Sequence, residues 1–127
     1  MNNLKFRVWD KKKKMFTNYQ IVDDMLYFMD KITGVWLRDD NQDRFALMQS
    51  TGLKDKNGKE IFEGDIVSRF QRTVEEVVWN SKKGWWAIQT RGEIGLTVLA
   101  QFIEAVEIIG NIYENKELMG NENKSRI

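Results

Sequence analysis

The chain reads as a mainly β protein with minor α content. Three observations lead there: short apolar segments at close spacing, turns built from Gly, Asn and Asp, and the absence of any long amphipathic helical pattern. At 127 residues it has the size of one domain with room for a small subdomain. Its 42% hydrophobic content, with 7 Phe, 5 Trp and 3 Tyr, supplies apolar area for a core rather than a disordered chain.

The elements follow in order. Leu4–Trp9 alternates apolar Leu4, Phe6 and Val8 with charged Lys5 and Arg7, the period of a half-buried strand. Asp10 and Lys11–Lys14 form a polar turn, and Met15–Tyr19 returns as a second strand. The four lysines read as a solvated hairpin tip that keeps a sheet edge soluble, although a phosphate contact is conceivable. Ile21–Met29 is apolar and interrupted only by Asp23 and Asp24. Thr33-Gly34 breaks the pattern and Val35-Trp36-Leu37 resumes it; periodicity alone does not separate strand from helical turn here. Asp39, Asp40, Asn41, Gln42 and Asp43 form a loop whose carboxylates are of the type that binds a divalent cation. The plain connecting loop is the favoured reading.

Phe45–Gln49 is a further strand leading into Ser50–Val67. There Asp55-Lys56-Asn57-Gly58 has tight-turn composition, because Asn-Gly supplies positive φ angles at low steric cost. Ile61-Phe62 precedes a second turn at Glu63-Gly64-Asp65, and a strand from Ile66 runs toward Phe70. Asp55, Asn57, Gly58, Gly64 and Asp65 are thus assigned to turn architecture. A calcium loop fails on spacing. With Gly58 at the sixth position, the first and twelfth fall on Leu53 and Gly64, which lack side-chain oxygens. Val74–Trp79 and Gly84–Thr90 are strands joined by the polar loop Asn80–Gly84. Arg91–Gly95 makes another turn. Leu96–Phe102 is a strand ending in a helical turn, and Ala105–Tyr113 is a strand with Gly110 at a bulge or a close backbone approach. From Glu114 the sequence turns polar, and residues 116–127 are expected to form a mobile tail.

The composition also restricts chemistry. There is no Cys, so neither a disulfide nor a thiolate metal site can form. There is no His, which removes the usual general base near neutral pH and every Ser–His–Asp or Cys–His arrangement. Net charge is +1, so the chain is not generally basic, though a local basic face remains open. No run of about 18 apolar residues occurs, and no secretory signal is visible. The expected setting is cytoplasmic, with no membrane partner and no cofactor.

Thr51-Gly52-Leu53-Lys54-Asp55-Lys56-Asn57-Gly58-Lys59-Glu60-Ile61, followed by Glu63-Gly64-Asp65-Ile66-Val67, strongly resembles the YopX family, small proteins encoded by bacteriophages and prophages. The opening Lys5-Phe6-Arg7-Val8-Trp9-Asp10 and the later Ile109-Gly110-Asn111-Ile112-Tyr113-Glu114-Asn115 resemble the family's start and end, so the likeness spans nearly the whole chain. The sequence departs from the family's pattern in places such as Lys116, where relatives often place a proline after Glu-Asn. The resemblance implies a C-terminal SH3-like small β-barrel, here over residues 49–115, beside an N-terminal β subdomain over 1–48. It implies phage origin and action inside a bacterial host, and it brings no catalytic residues.

Two groups stand out as candidates. Asp55, Glu60, Glu63 and Asp65 are the residue types of a Mg²⁺-dependent enzyme, against the favoured reading of turn chemistry. Trp79, Trp85 and Trp86 flank Lys82 and Lys83, with Arg91 beyond. Trp85 and Trp86 must face opposite sides of a strand, so one of them points away from a small barrel's core. An outward Trp near cations suits a protein hot spot, stacking on nucleic-acid bases, or cover by a second subdomain or subunit. The expectation is a non-enzymatic accessory protein acting by binding and associating with itself, its partner a host or phage protein. A nucleic-acid module using the Trp/Lys/Arg group is the alternative, and a carboxylate-metal enzyme the third.

Overall fold

The computed structural model describes residues 5–40, 43–90 and 95–120. The protein is mainly β, and its chain divides into two compact units, Met1–Gln49 and Ser50–Ile127.

The first unit holds β1 (Phe6–Asp10), β2 (Met15–Thr17), β3 (Tyr19–Val22), β4 (Met25–Asp30), β5 (Val35–Leu37) and the start of β6 (Phe45–Lys54). Strand β1 lies between β2 and β6, antiparallel to both. Strands β3, β4 and β5 form a separate antiparallel sheet in that order. Alternation sends Val8 of β1 and Phe28 of β4 inward, where they meet Phe45. The Phe28 and Phe45 rings stack with centroids 4.7 Å apart, an arrangement worth about 0.5–1.5 kcal/mol beyond the area it buries. Tyr19, Leu26 and Leu37 close over them.

Two sequence expectations change here. Met15–Tyr19 is not one strand, because Asn18 separates β2 from β3. Ile21–Met29 is the end of β3, a turn and β4. Asp23 and Asp24 both adopt positive φ, 51° and 63°, between the paired residues Val22 and Met25. That is the primed hairpin turn whose twist matches its strands, made without the Asn-Gly pair that usually announces it.

The second unit continues β6 and adds β7 (Glu60–Phe62), β8 (Asp65–Arg69), β9 (Glu75–Asn80), β10 (Trp85–Thr90), β11 (Thr97–Val98) and β12 (Val106–Asn111). A 3₁₀ turn spans Leu99–Phe102 and α1 spans Lys116–Gly120. The main sheet has the order β11-β10-β9-β8-β12. Its core is Ile61, Val67, Val77, Ile88, Leu99 and Val106, each at most 1% exposed. β-Branched side chains dominate it, as expected where they pack on a pleated surface. The expected strand from Ile66 stops at Arg69, since Phe70 and Gln71 enter a turn with φ of 54° and 60°. The register of β12 on β8 shifts between Ile108 and Gly110, which is the bulge expected at Gly110. Residues 116–120, assigned by sequence to the tail, form α1, and Met119 is buried. The tail beyond them and the turn at 91–94 lie outside the described residues.

Candidate functional site

Two of the candidate tryptophans come together on one face of the β9–β10 hairpin. Trp79 is paired with Trp86 across the strands, and their rings meet edge-on at 5.0 Å. The same face carries Val77 and Ile88 toward the core, so Trp86 packs against buried residues while Trp79 reaches beyond them and is 47% exposed. Trp85 stands on the opposite face and is 38% exposed. Lys82 and Lys83 are exposed in the connecting loop, where their backbone N–H groups donate to Asn80 Oδ1. Arg91 lies outside the described residues. The three tryptophans therefore do not share one surface, and only Trp79 and Trp86 are in contact.

The carboxylates of the central segment do not converge. Asp55 is 5% exposed, and its Oδ1 accepts from the N–H groups of Asn57 and Lys59, both at 2.9 Å. Its Oδ2 accepts from Ile108 N–H at 3.0 Å, so one side chain closes the β6–β7 loop and fastens it to β12. Burial by itself raises the Asp55 carboxyl, but the three N–H donors together with nearby Lys59 hold it below its ordinary value. Within that loop Gly58 has φ 84° and donates to Asp55 O, while Asn57 supplies a backbone N–H to the carboxylate.

Asp65 is buried and its Oδ2 accepts from Phe62 N–H. Gly64, at φ 86°, donates to Val77 O and accepts from Ile112 N–H, joining the turn to β9 and to the segment after β12. Glu60 is hydrogen-bonded by Ser50. Glu63 and Glu76 stand near Tyr113, whose hydroxyl is raised by burial and by those two negative charges. Among the described residues, no three Asp or Glu gather so as to hold a metal ion, and no helix is long and apolar enough to cross a membrane.

Sequence reasoning passed over two buried charge clusters. Glu75 is 1% exposed and accepts four hydrogen bonds: Arg69 Nε at 2.8 Å, Arg69 Nη2 at 3.0 Å, Thr73 Oγ1 at 2.8 Å and Thr90 Oγ1 at 3.0 Å. Burial raises its carboxyl, yet these donors bring it below its usual value. The Arg69 guanidinium also lies over the Phe102 ring at 4.6 Å.

In the first unit, Arg44 Nε and Nη2 donate to the two oxygens of Asp10 at 3.0 and 2.9 Å, and Nη2 also donates to Asp30 Oδ2 at 2.7 Å. Burial opposes the Asp10 charge, but Arg44 and the Lys13 and Lys12 amides hold its pKa down. Asp30 is lowered strongly, first by the Arg44 hydrogen bond, and the Arg44 pKa is raised in return by the same contacts. Strand parity held a signal for all three acids. Asp10 alternates with Phe6 and Val8, Asp30 with Leu26 and Phe28, and Glu75 with Val77, so each occupies a core-facing position. A charge there is stable only with a partner.

The YopX protein family matches residues 5–120. The chain belongs to the YopX family. Its structure is similar to that of protein EF1440 from Enterococcus faecalis, with a TM-score of 0.61 and 26% identity over 94% of this chain and 99% of that one. It shares its fold with protein yopX from Bacillus subtilis, with a TM-score of 0.57 and 24% identity over 93% of this chain and 98% of that one. No curated protein matches the chain. In physical terms, the Asp55-to-Asp65 segment and the Gly110-to-Asn115 segment are where side chains close turns and join strands distant in sequence. Asn111 Oδ1 accepts from the N–H groups of Tyr113 and Glu114, and Asn115 Oδ1 accepts from Asn111 N–H.

Proposed function

We propose that this YopX-family protein is a phage or prophage accessory protein that works in the bacterial cytoplasm by binding and associates with itself. The observation that carries the reading is the Trp79–Trp86 pair, which continues the apolar face of β9–β10 past the core into solvent. Large, rigid aromatic rings at the end of a braced hairpin are the side chains that dominate protein interfaces. Its partner is a second copy, with a host or phage protein as a further occupant.

A non-catalytic role accords with the state of the buried acids, since Asp55, Glu75, Asp10 and Asp30 each hold several donors that fix the fold. Asp55, Asn57, Gly58, Gly64 and Asp65 are assigned to architecture on the same ground. The SH3-like reading of residues 49–115 is supported by the order β11-β10-β9-β8-β12 with β12 returning to β8.

Light scattering across a concentration series tests self-association. The mass should be a multiple of the chain's, and Trp79→Ala should move it toward the monomer. A monomer at high concentration would remove that part of the reading. The second reading, nucleic-acid binding centred on Trp85, Trp86, Lys82, Lys83 and Arg91, is supported by the two exposed lysines in the loop between the tryptophan-bearing strands. It requires K82Q/K83Q to weaken binding to single-stranded DNA. The carboxylate-metal reading requires Mg²⁺, Mn²⁺ or Ca²⁺ to raise the melting temperature, since a ligand of the folded state stabilises it.

A further inference from the structure

The β1–β2 and β4–β5 connections are built alike. Each begins at an Asp closing a strand, whose Oδ1 accepts the N–H groups two and three residues on: Lys12 and Lys13 for Asp10, Ile32 and Thr33 for Asp30. In each, the Asp carbonyl accepts the N–H four residues on, from Lys14 or Gly34, both at 2.7 Å and both at positive φ. With the carboxylate bonded back into its own loop, Lys11, Lys12, Lys14 and Lys31 are left exposed, and Lys13 is half-buried. Arg44 then binds both aspartates and sets the two loops side by side. The Lys13 charge reaches Asp30 in the neighbouring loop.

Five lysines from two separate parts of the sequence are thus carried on neighbouring loops, and none forms an ion pair with a described residue. The nearby acids are mostly engaged. Asp10 and Asp30 are buried on Arg44, Asp39 accepts the N–H groups of Arg44 and Phe45, and Asp40 pairs with Arg38, which leaves Asp43 exposed. A net charge of +1 over the whole chain conceals this local excess.

We propose that the twin lysine loops bind the phosphate backbone of duplex nucleic acid without reading its sequence. Ammonium groups are compact point charges suited to phosphate oxygens, and phosphate contacts position a protein without specifying bases. The Lys12, Lys13, Ile32 and Thr33 amides are already bonded to the aspartates, so in those stretches contact falls to the lysines. No aromatic residue lies in either loop to stack on an unpaired base, which favours a duplex over a single strand. Ile32 is the one large aliphatic at the tips, too little apolar surface to anchor the chain in a bilayer or in a protein interface. This binding needs neither self-association nor the tryptophan pair.

The test is fluorescence anisotropy of the full chain with short labelled DNA duplexes of two unrelated sequences. Both should bind alike at low salt, with log K falling against log salt at a slope of about −4 if four to five phosphates are engaged. K11Q/K12Q/K31Q, which leaves half-buried Lys13 in place, should weaken binding at least about tenfold and flatten the slope. The reversal variant K12E/K31E should do the same, and each variant should melt where the parent melts. K82Q/K83Q should bind like the parent. The proposal fails if no duplex binds at low salt, if both loop variants bind normally, or if phosphatidylserine vesicles capture the chain and DNA does not.

Discussion

At Gly110 the missing side chain is the functional property. A Cβ there would stand 2.4 Å from Asn115 Oδ1 and 2.6 Å from its Cγ, while Asn115 Oδ1 is held by the Asn111 N–H. Because Asn111 also caps the loop through Tyr113 and Glu114, Asn115 cannot swing aside without opening that loop. Gly110→Ala should therefore destabilise the fold by about 1–3 kcal/mol, the usual range for overpacking, read as a lower urea midpoint. The opposite sign is expected at Gln71. Phe70 and Gln71 form the centre of a turn closed by Arg72 N–H to Arg69 O, and both are held at positive φ. A residue with a Cβ in that region costs about 1–2 kcal/mol, part of which glycine gives back through a freer unfolded chain. Gln71→Gly should raise stability by roughly 0.5–1 kcal/mol, checked in the same titration.

Among the elements, the loop of the β6–β7 hairpin is closed by the Asp55 carboxylate. Asp55→Ala would leave the Asn57, Lys59 and Ile108 N–H groups without their acceptor, two in the loop and one on β12. A shielded N–H left unsatisfied costs about 1–3 kcal/mol. Asn57 and Lys59 are exposed, so water can replace their acceptor, and Ile108 on β12 carries most of a loss of about 2–3 kcal/mol expected in urea unfolding. Asp55→Asn should fall between, because an amide keeps one acceptor oxygen but its nitrogen cannot accept from Ile108. Element identity was legible where a period or a composition was unambiguous. Strand β1 follows from alternation, β9 and β10 from their β-branched and aromatic residues on either side of a polar loop, and the 3₁₀ turn after Val98 matches the helical turn expected at the end of Leu96–Phe102. The β3–β4 hairpin was hidden because Asp23-Asp24 is a weak primed-turn signal between apolar runs. The turn chemistry of Asp55 was readable, but not its bond to Ile108, 53 residues away. The lysine run was visible as well, whereas Lys31 joins it only because Arg44 binds two aspartates separated in sequence. Long-range partners of this kind have no local pattern to betray them.

Over the whole molecule, the titrating groups set how stability varies with pH. Asp10, Asp30, Asp55 and Glu75 all have folded pKa values below their ordinary ones. A lowered pKa means that the unfolded chain takes up the proton first, so the stabilisation is complete above the unfolded pKa and is lost as pH falls. With unfolded values of about 3.9 for Asp and 4.3 for Glu, stability should decline from about pH 5 downward. No His is present, so no side chain has an ordinary pKa in the neutral range, and the urea midpoint should be nearly flat from about pH 6 to pH 8. Tyr113 runs the other way: its raised hydroxyl contributes stability below about pH 10 that is lost as pH climbs through its folded value. Glu75→Gln separates the acid groups within this profile. It should lower the midpoint at neutral pH, where Arg69 loses its charged partner, yet fall less steeply on acidification, since one carboxylate no longer needs protonating. A variant that kept the parent's full acid slope would mean that the Asp10–Arg44–Asp30 and Asp55 groups alone govern the loss.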